Sequence, residues 1–225
     1  MPRQTSSSSG TSPSGGNRKW RSTEIVRTEI LDAAREVFAL RGFAEAGVNE
    51  VVDRSGASVG SIYHHFGSKT DLFMALWERH HEEQIAIARQ GVLEAQAAGV
   101  TDPFDLLVAG SRAYLEAAWP RRDLVRIFQV GDTPPGFFEE QRRSGRTWLN
   151  RNFRLLGATD EPVNRILVWL VTSYVGEARR EICRQRTPRA AREQVEAMLE
   201  VLERMRPLLA SAAGMRLVVR DDEDR

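Results

Sequence analysis

Residues 47–73 read GVNEVVDRSGASVGSIYHHFGSKTDLF. Val48, Val51 and Val52 share one face of a short helical repeat that stops at Ser55-Gly56, and a second repeat runs from Ser58 to His65 before Gly67. Residues three and four apart fall on one face of a helix, so Ile62 and Phe66 point to a core while Val59, Gly60, Ser61 and Tyr63 point outward. Two short helices around a Gly-containing turn have the dimensions of a helix-turn-helix, whose second helix enters the DNA major groove. Ser58 is placed to cap that helix, and its small outward face lets the backbone approach base edges. Val59 suits a thymine methyl, Ser61 a base or a phosphate, and Tyr63 and His64 the phosphates flanking the groove. Ser68 and Asp71 then form a capping box, so the N-terminus of a long helix and the Lys69 ammonium are expected at a further phosphate.

The pattern on either side of this stretch is helical throughout. Upstream, Val26, Ile30, Ala33, Ala34, Val37 and Phe38 recur at helical spacing from Ser22, and Gly42 reads as a stop. Downstream, helices are predicted from Ser68 to about Ala98, from Asp102-Pro103 to near Trp119-Pro120 and from Arg121 to Val130. After the breaker at 131–136 they continue from Phe137 to Leu156, from Asp160 to Gln185 and from Thr187-Pro188 to about Ala212. Pro207 must kink or end the last of these. The fold class is all-α. A low-complexity basic leader, 1–19, offers no apolar surface to offset the entropy of ordering and is expected to be disordered. The helix-turn-helix domain is placed at 20–67, a larger helical domain at 68–212 and a charged tail at 213–225.

Composition is globular: 41% hydrophobic and 28% charged residues, with 32 Lys plus Arg against 31 Asp plus Glu. Net charge of +1 names no partner, but its distribution is uneven. Arg3, Arg18, Lys19 and Arg21 precede the first acid, Glu24, while the tail after Arg220 reads Asp-Asp-Glu-Asp. The lone Cys183 excludes an intramolecular disulfide, and no apolar run reaches the length of a membrane span, which points to the cytoplasm. Arg179, Arg180 and Arg184 lie close enough in sequence to lower the Cys183 pKa. His64-His65 and His80-His81 are i,i+1 pairs on different helix faces, which is not zinc-site geometry, so no metal and no cofactor is expected. There is no phosphate-binding Gly loop, no nucleophile elbow and no H-E-x-x-H, which sets an enzyme last among the readings.

The run from Ile30 to Phe73, through Ala33-Ala34, Phe38, Arg41-Gly42-Phe43, Ser55-Gly56, Gly60-Ser61-Ile62-Tyr63-His64-His65-Phe66 and Ser68-Lys69, resembles the DNA-binding domain of TetR-family regulators. The resemblance implies base contacts at Val59, Gly60 and Ser61 and phosphate contacts from Tyr63, His64 and Lys69. Where the family usually has a hydroxyl residue opening the first of the two helices, this chain has Ala46-Gly47, and Asn49 is the substitute. The resemblance further implies a homodimer through the last two helices, a palindromic operator of double-stranded DNA, and a small-molecule effector enclosed by the middle helices. The closing helix offers an apolar stripe at Val195, Met198, Leu199, Leu202 and Met205 for that interface, and Ile166 to Val171 is apolar on every side.

Candidate walls for the effector site are Phe104, Trp119, Phe128, Trp148, Phe153, Trp169 and Tyr174. Tyr174, Arg112 and Glu177 are the groups available to fix a polar part of the ligand. This mixture suggests a mostly apolar or aromatic ligand. A repressor released by such a ligand is the function implied. A helical adaptor that has lost DNA binding is the alternative, supported only by Ala46-Gly47.

Overall fold

The computed structural model describes residues 15–129 and 132–212. The leader ahead of residue 15 and the tail from 213 lie outside the described residues. Ten α-helices follow one another among them: α1 (Gly15–Glu45), α2 (Val48–Ser55), α3 (Val59–Phe66), α4 (Lys69–Ala97), α5 (Pro103–Glu116), α6 (Arg122–Gln129), α7 (Phe137–Leu155), α8 (Pro162–Cys183), α9 (Pro188–Arg204) and α10 (Arg206–Ala212), with a 3-10 turn at Trp119–Arg121 before α6. No strand occurs among the described residues.

Side-chain caps set several of the starts. Ser68 accepts from the Asp71 N–H at 3.1 Å, Asp102 from the Asp105 N–H at 2.9 Å with Pro103 in the first turn, and Thr187 from the Ala190 N–H at 3.2 Å. Pro207 acts as its missing N–H requires: α9 stops at Arg204 and the proline sits in the first turn of α10. The first helix departs from the pattern at both ends. It begins at Gly15, inside the leader expected to be disordered, and it passes the expected stop at Gly42 through a kink before ending at Glu45. Gly42 turns the chain at φ 76°, a conformation that disfavours any residue with a Cβ.

Two apolar clusters divide the chain. The first joins α1 to α4 through Ile30, Leu31, Ala34, Val37, Phe38, Val51, Ile62, Phe66, Leu72, Phe73 and Leu76. It does not stop at the sequence boundary after residue 67, because Leu124, Ile127 and Phe128 of α6 and Phe137 of α7 complete it. Phe73 and Trp77 meet Phe128 and Phe137 at centroid separations of 5.0–5.3 Å in edge-to-face contacts, a geometry that adds to the burial of the rings. The second cluster is built from α5 and α7 to α10, including Leu107, Leu115, Val168, Val171, Ile182, Val195, Leu199 and Leu202. Helices α4 and α5 pack closely at Gly91 and Gly110. A Cβ at Gly91 would lie 2.7 Å from the Ala113 Cβ, and one at Gly110 would lie 2.9 Å from Val92.

Candidate nucleic-acid interface and effector cavity

Helix α3 is held by its own apolar face. Ile62 is 2% exposed and Phe66 8%, the latter with the Arg27 guanidinium over its ring at 5.3 Å. The opposite face is open: Val59, Gly60, Tyr63 and His64 are exposed and Ser61 is half-buried. Ser58 caps the helix by accepting the Ser61 N–H at 3.1 Å, so its oxygen is engaged while its hydroxyl proton remains available. Helix α2 opens at Gly47 without a side-chain cap, and Asn49 is exposed in its first turn. The exposed face is therefore narrow, with little bulk between the helix backbone and a surface laid against it.

Lys69 occupies a different place from the one expected of it. Its ammonium donates to the carbonyls of Phe43, Ala44 and Ala46 at 2.8, 3.0 and 3.1 Å and lies 4.7 Å from the Phe43 ring centroid. An ammonium has three N–H donors, and all three are spent on the end of α1 and the link to α2. The same turn is gripped from the other side. Asp132 accepts the Phe43 N–H at 2.9 Å through Oδ1 and the Ala44 N–H through Oδ2. A Cβ at residue 42 would come within 2.5 Å of the Asp132 Oδ1, so Gly42 makes room for this carboxylate as well as supplying the kink. Further along α1, Arg35 forms a two-bond pair with Asp123 of α6, Nη2 to Oδ1 at 2.8 Å. Burial raises the Asp123 carboxyl, and the Arg35 hydrogen bond and charge more than reverse this, leaving it below the usual carboxylate range. Two carboxylates, one in the first turn of α6 and one beyond its end, thus tie the helix-turn-helix to the rest of the chain.

Between α4, α5, α7 and α8 lies a cavity of about 1040 Å³. Trp148 and Trp169 line it. The other seven candidates do not. Phe104 is buried beneath the Arg206 guanidinium, and Phe128 is 2% exposed within the aromatic block of the first cluster. Trp119 donates its indole N–H to the Gln185 carbonyl at 3.0 Å, and Phe153 packs on the second cluster. The Tyr174 hydroxyl donates to the Met198 carbonyl at 2.8 Å, Arg112 is paired with Glu196, and Glu177 with Arg180. Apolar wall comes instead from Trp77, Val92, Leu107, Tyr114, Leu149 and Val175. Beside this apolar wall, arginines of α4, α7 and α8 also line the cavity, and no Asp or Glu does among the described residues.

Residues 30–76 match the family described as bacterial regulatory proteins, tetR family. Residues 30–76 are thus a DNA-binding segment of the TetR type. The chain is 40% identical over 84 residues to the HTH-type transcriptional activator FasR of Mycolicibacterium smegmatis, a match covering 36% of this chain and 37% of that one. It is 32% identical over 142 residues to the HTH-type transcriptional repressor Rv1474c of Mycobacterium tuberculosis, covering 62% and 65%. The chain thus spans less than two thirds of the length of these curated relatives. The fold is that of the FadR regulator of Bacillus subtilis solved with stearoyl-CoA, with a TM-score of 0.63 at 18% identity over 78% of this chain and 96% of that one.

Outside the matched segment, α8 leaves one face bare. Val168 and Val171 are buried in the protomer, whereas Val163, Ile166, Trp169 and Leu170 are 40–62% exposed. The expected stripe on α9 is used differently: Val195, Leu199 and Leu202 are at most 3% exposed inside the protomer, and Val201 is the apolar residue that α9 turns outward. Cys183 donates to the Ala118 carbonyl, and burial pushes its pKa up to about 11 against the opposing charge of Arg179, so its neighbours do not activate it. No helix among the described residues is long and apolar enough to cross a membrane. Sequence reasoning missed the cavity arginines, although a signal existed: from Gln141 to Thr159 there are five arginines and no acid. It also missed Asp123 and Asp132, whose partners lie almost ninety residues away.

Proposed function

We propose that this chain is a DNA-binding transcriptional regulator, a homodimeric repressor released from a palindromic operator by a small ligand taken up in the cavity of the C-terminal domain. The observation that carries the DNA-binding reading is the bare outer face of α3, small in bulk and held rigidly from behind by Ile62 and Phe66. Val59, Gly60 and Ser61 would meet base edges, and Tyr63, His64, Asn49 and Ser58 would meet phosphates together with the free N–H groups at the start of α4. Lys69 serves this surface indirectly, by fixing the turn between α1 and α2 against it. The exposed apolar face of α8, with Val201 of α9, is what a second copy would cover, and a two-fold pair would present its recognition helices to successive major grooves. An adaptor without DNA binding would have no use for this face of α3, and an enzyme none for the paired geometry. Such a protein would work in the cytoplasm.

Release follows from linkage. A ligand weakens operator binding only by the factor by which it prefers the non-binding state, and a hundredfold loss corresponds to about 2.7 kcal/mol. The Asp123 contact gives α6 a direct hold on α1, and Asp132, between α6 and α7, holds the end of α1, so a ligand that moves α6 or α7 would shift the helix-turn-helix with it. The test is selection of bound duplexes from a random pool, followed by a mobility assay on the enriched sequence. Enrichment of an inverted repeat bound by two protomers is the expected result; no enrichment would overturn the reading.

A further inference from the structure

From the cavity's charge and its unmet donors we infer that the ligand is an anion, a carboxylate or phosphate carried on an apolar body, and that Arg179 receives the anionic group. The inference rests on the reading of the cavity as an effector site and adds the chemistry of what enters it. Arg179 of α8 lines the cavity at 6% exposure, which is unusual for a guanidinium without a carboxylate partner. Among the described residues no Asp or Glu forms an ion pair with it. Its polar contact is His80 Nε2, 3.3 Å from Nη1, and its Nε–H has no acceptor.

The neighbouring orphans have the same polarity. Because a guanidinium can only donate, His80 Nε2 must accept, which leaves the proton of the neutral ring on Nδ1. That Nδ1–H and the Trp77 indole N–H are also buried without a partner. Of these three unmet donors, those of Arg179 and Trp77 belong to residues that line the cavity, and that of His80 lies behind Arg179 in an adjoining crevice; no unmet acceptor accompanies them. Burial, with the Arg179 charge adding to it, lowers the His80 pKa to about 3, so the ring stays neutral and contributes no competing charge.

The rest of the lining agrees. Arg89 of α4 and Arg142, Arg146, Arg151 and Arg154 of α7 join Arg179 around a space with no acidic side chain among its described residues. Arg151 lies below its ordinary pKa because of burial and then the charges of Arg89 and Arg154, the direction expected of cations crowded without counter-charge. A cleft walled by one sign of charge raises the local concentration of the opposite sign. Guanidinium groups match carboxylate and phosphate oxygens in a planar fork. Trp77, Leu107, Trp148 and Leu149 supply apolar wall in the same cavity, so the anion should carry an apolar body.

The experiment uses the full chain and three ten-carbon probes, decanoate, decyl phosphate and decanol, below their micelle-forming concentrations. Calorimetry should show either or both anions binding and decanol weaker than the better anion by about tenfold to a hundredfold, the value of charge-assisted hydrogen bonds. Preference for one anion distinguishes a carboxylate from a phosphate source. Arg179→Met should abolish that difference while raising the melting temperature of the unliganded chain, because a buried unpaired charge has been removed. Arg151→Gln keeps Arg179 in place and should weaken the anion by a smaller factor. Equal affinity for decanol and the anions, or loss of stability in Arg179→Met with anion binding intact, would overturn the inference. The operator assay separates the two levels. Anions that bind without releasing DNA leave this inference standing and remove the release mechanism; decanol that releases DNA while neither anion binds does the reverse.

Discussion

Replacing Lys69 by alanine separates a staple from a phosphate clamp. In the structure the ammonium closes three carbonyls at the end of α1 and the link to α2. A hydrogen bond from a charged group contributes about 1.5–3 kcal/mol when removed singly. Here three share one partly solvated ammonium, and water can reach part of what is left behind, so the set should contribute about 2 kcal/mol rather than the sum. For a chain of this size each kcal/mol moves the melting temperature by about 2–4 °C, giving an expected fall of about 4–8 °C in a thermal melt. The same variant should be assayed for operator binding across a salt series. A lost phosphate contact would reduce the magnitude of the log–log salt slope by about 0.9, whereas loss of a committed staple should change it by much less. A melt within 1 °C of the native chain together with a slope smaller by about one would refute the structural assignment of Lys69.

Three further outcomes follow from the same geometry. His80 titrates at about 3 in the fold against 6.5 for the free ring, so its contribution to stability is complete above about pH 6.5 and lost as pH falls from there toward 3, at up to about 1.4 kcal/mol per pH unit; a pH series of melts should show that slope shrink in His80→Gln, and an unchanged slope would count against a buried neutral ring. Asp123 lies below its ordinary carboxyl value, so the stability from its Arg35 pair is present above the ordinary carboxyl range and lost as pH drops through the lowered value. A double-mutant cycle of Arg35→Gln and Asp123→Asn should return a coupling of about 1 kcal/mol at neutral pH, discounted for a pair that is about a third exposed, and zero coupling would remove the pair from the α1–α6 link. Ile166→Glu places a charge on the bare face of α8 and should yield monomers in sedimentation with weakened operator binding, whereas an unaltered dimer would put the interface elsewhere.

What could be read in advance followed from local physics. Caps at Ser68, Asp102 and Thr187 and the proline at 207 act within one helical turn, so their elements stand where the pattern put them. The inward positions of Ile62 and Phe66 come from helical spacing alone, and the structure buries both. Roles that depend on a distant partner were not legible. Lys69 is polar, early in a helix and suited to a phosphate, yet three carbonyls more than twenty residues upstream claim it. The stripe from Val195 to Leu202 has the spacing of an interface, but periodicity cannot tell a seam within a protomer from one between protomers, and this one is internal. Aromatic content misled in the same way: Phe104 and Phe128 fill cores, while the arginines that line the cavity beside its apolar wall are concealed by the even overall charge.

The central claim, that α3 reads DNA through its small outer face, is tested most directly by selecting duplexes from one random pool with the native chain and with Val59→Gln. A glutamine at that position can pair with adenine where valine meets only a methyl. The account predicts an inverted repeat with half-sites about one helical turn apart, and in the variant a changed preference at one symmetric position in each half-site with the rest retained. The same enriched sequence from both chains, or no enriched sequence from either, would contradict it.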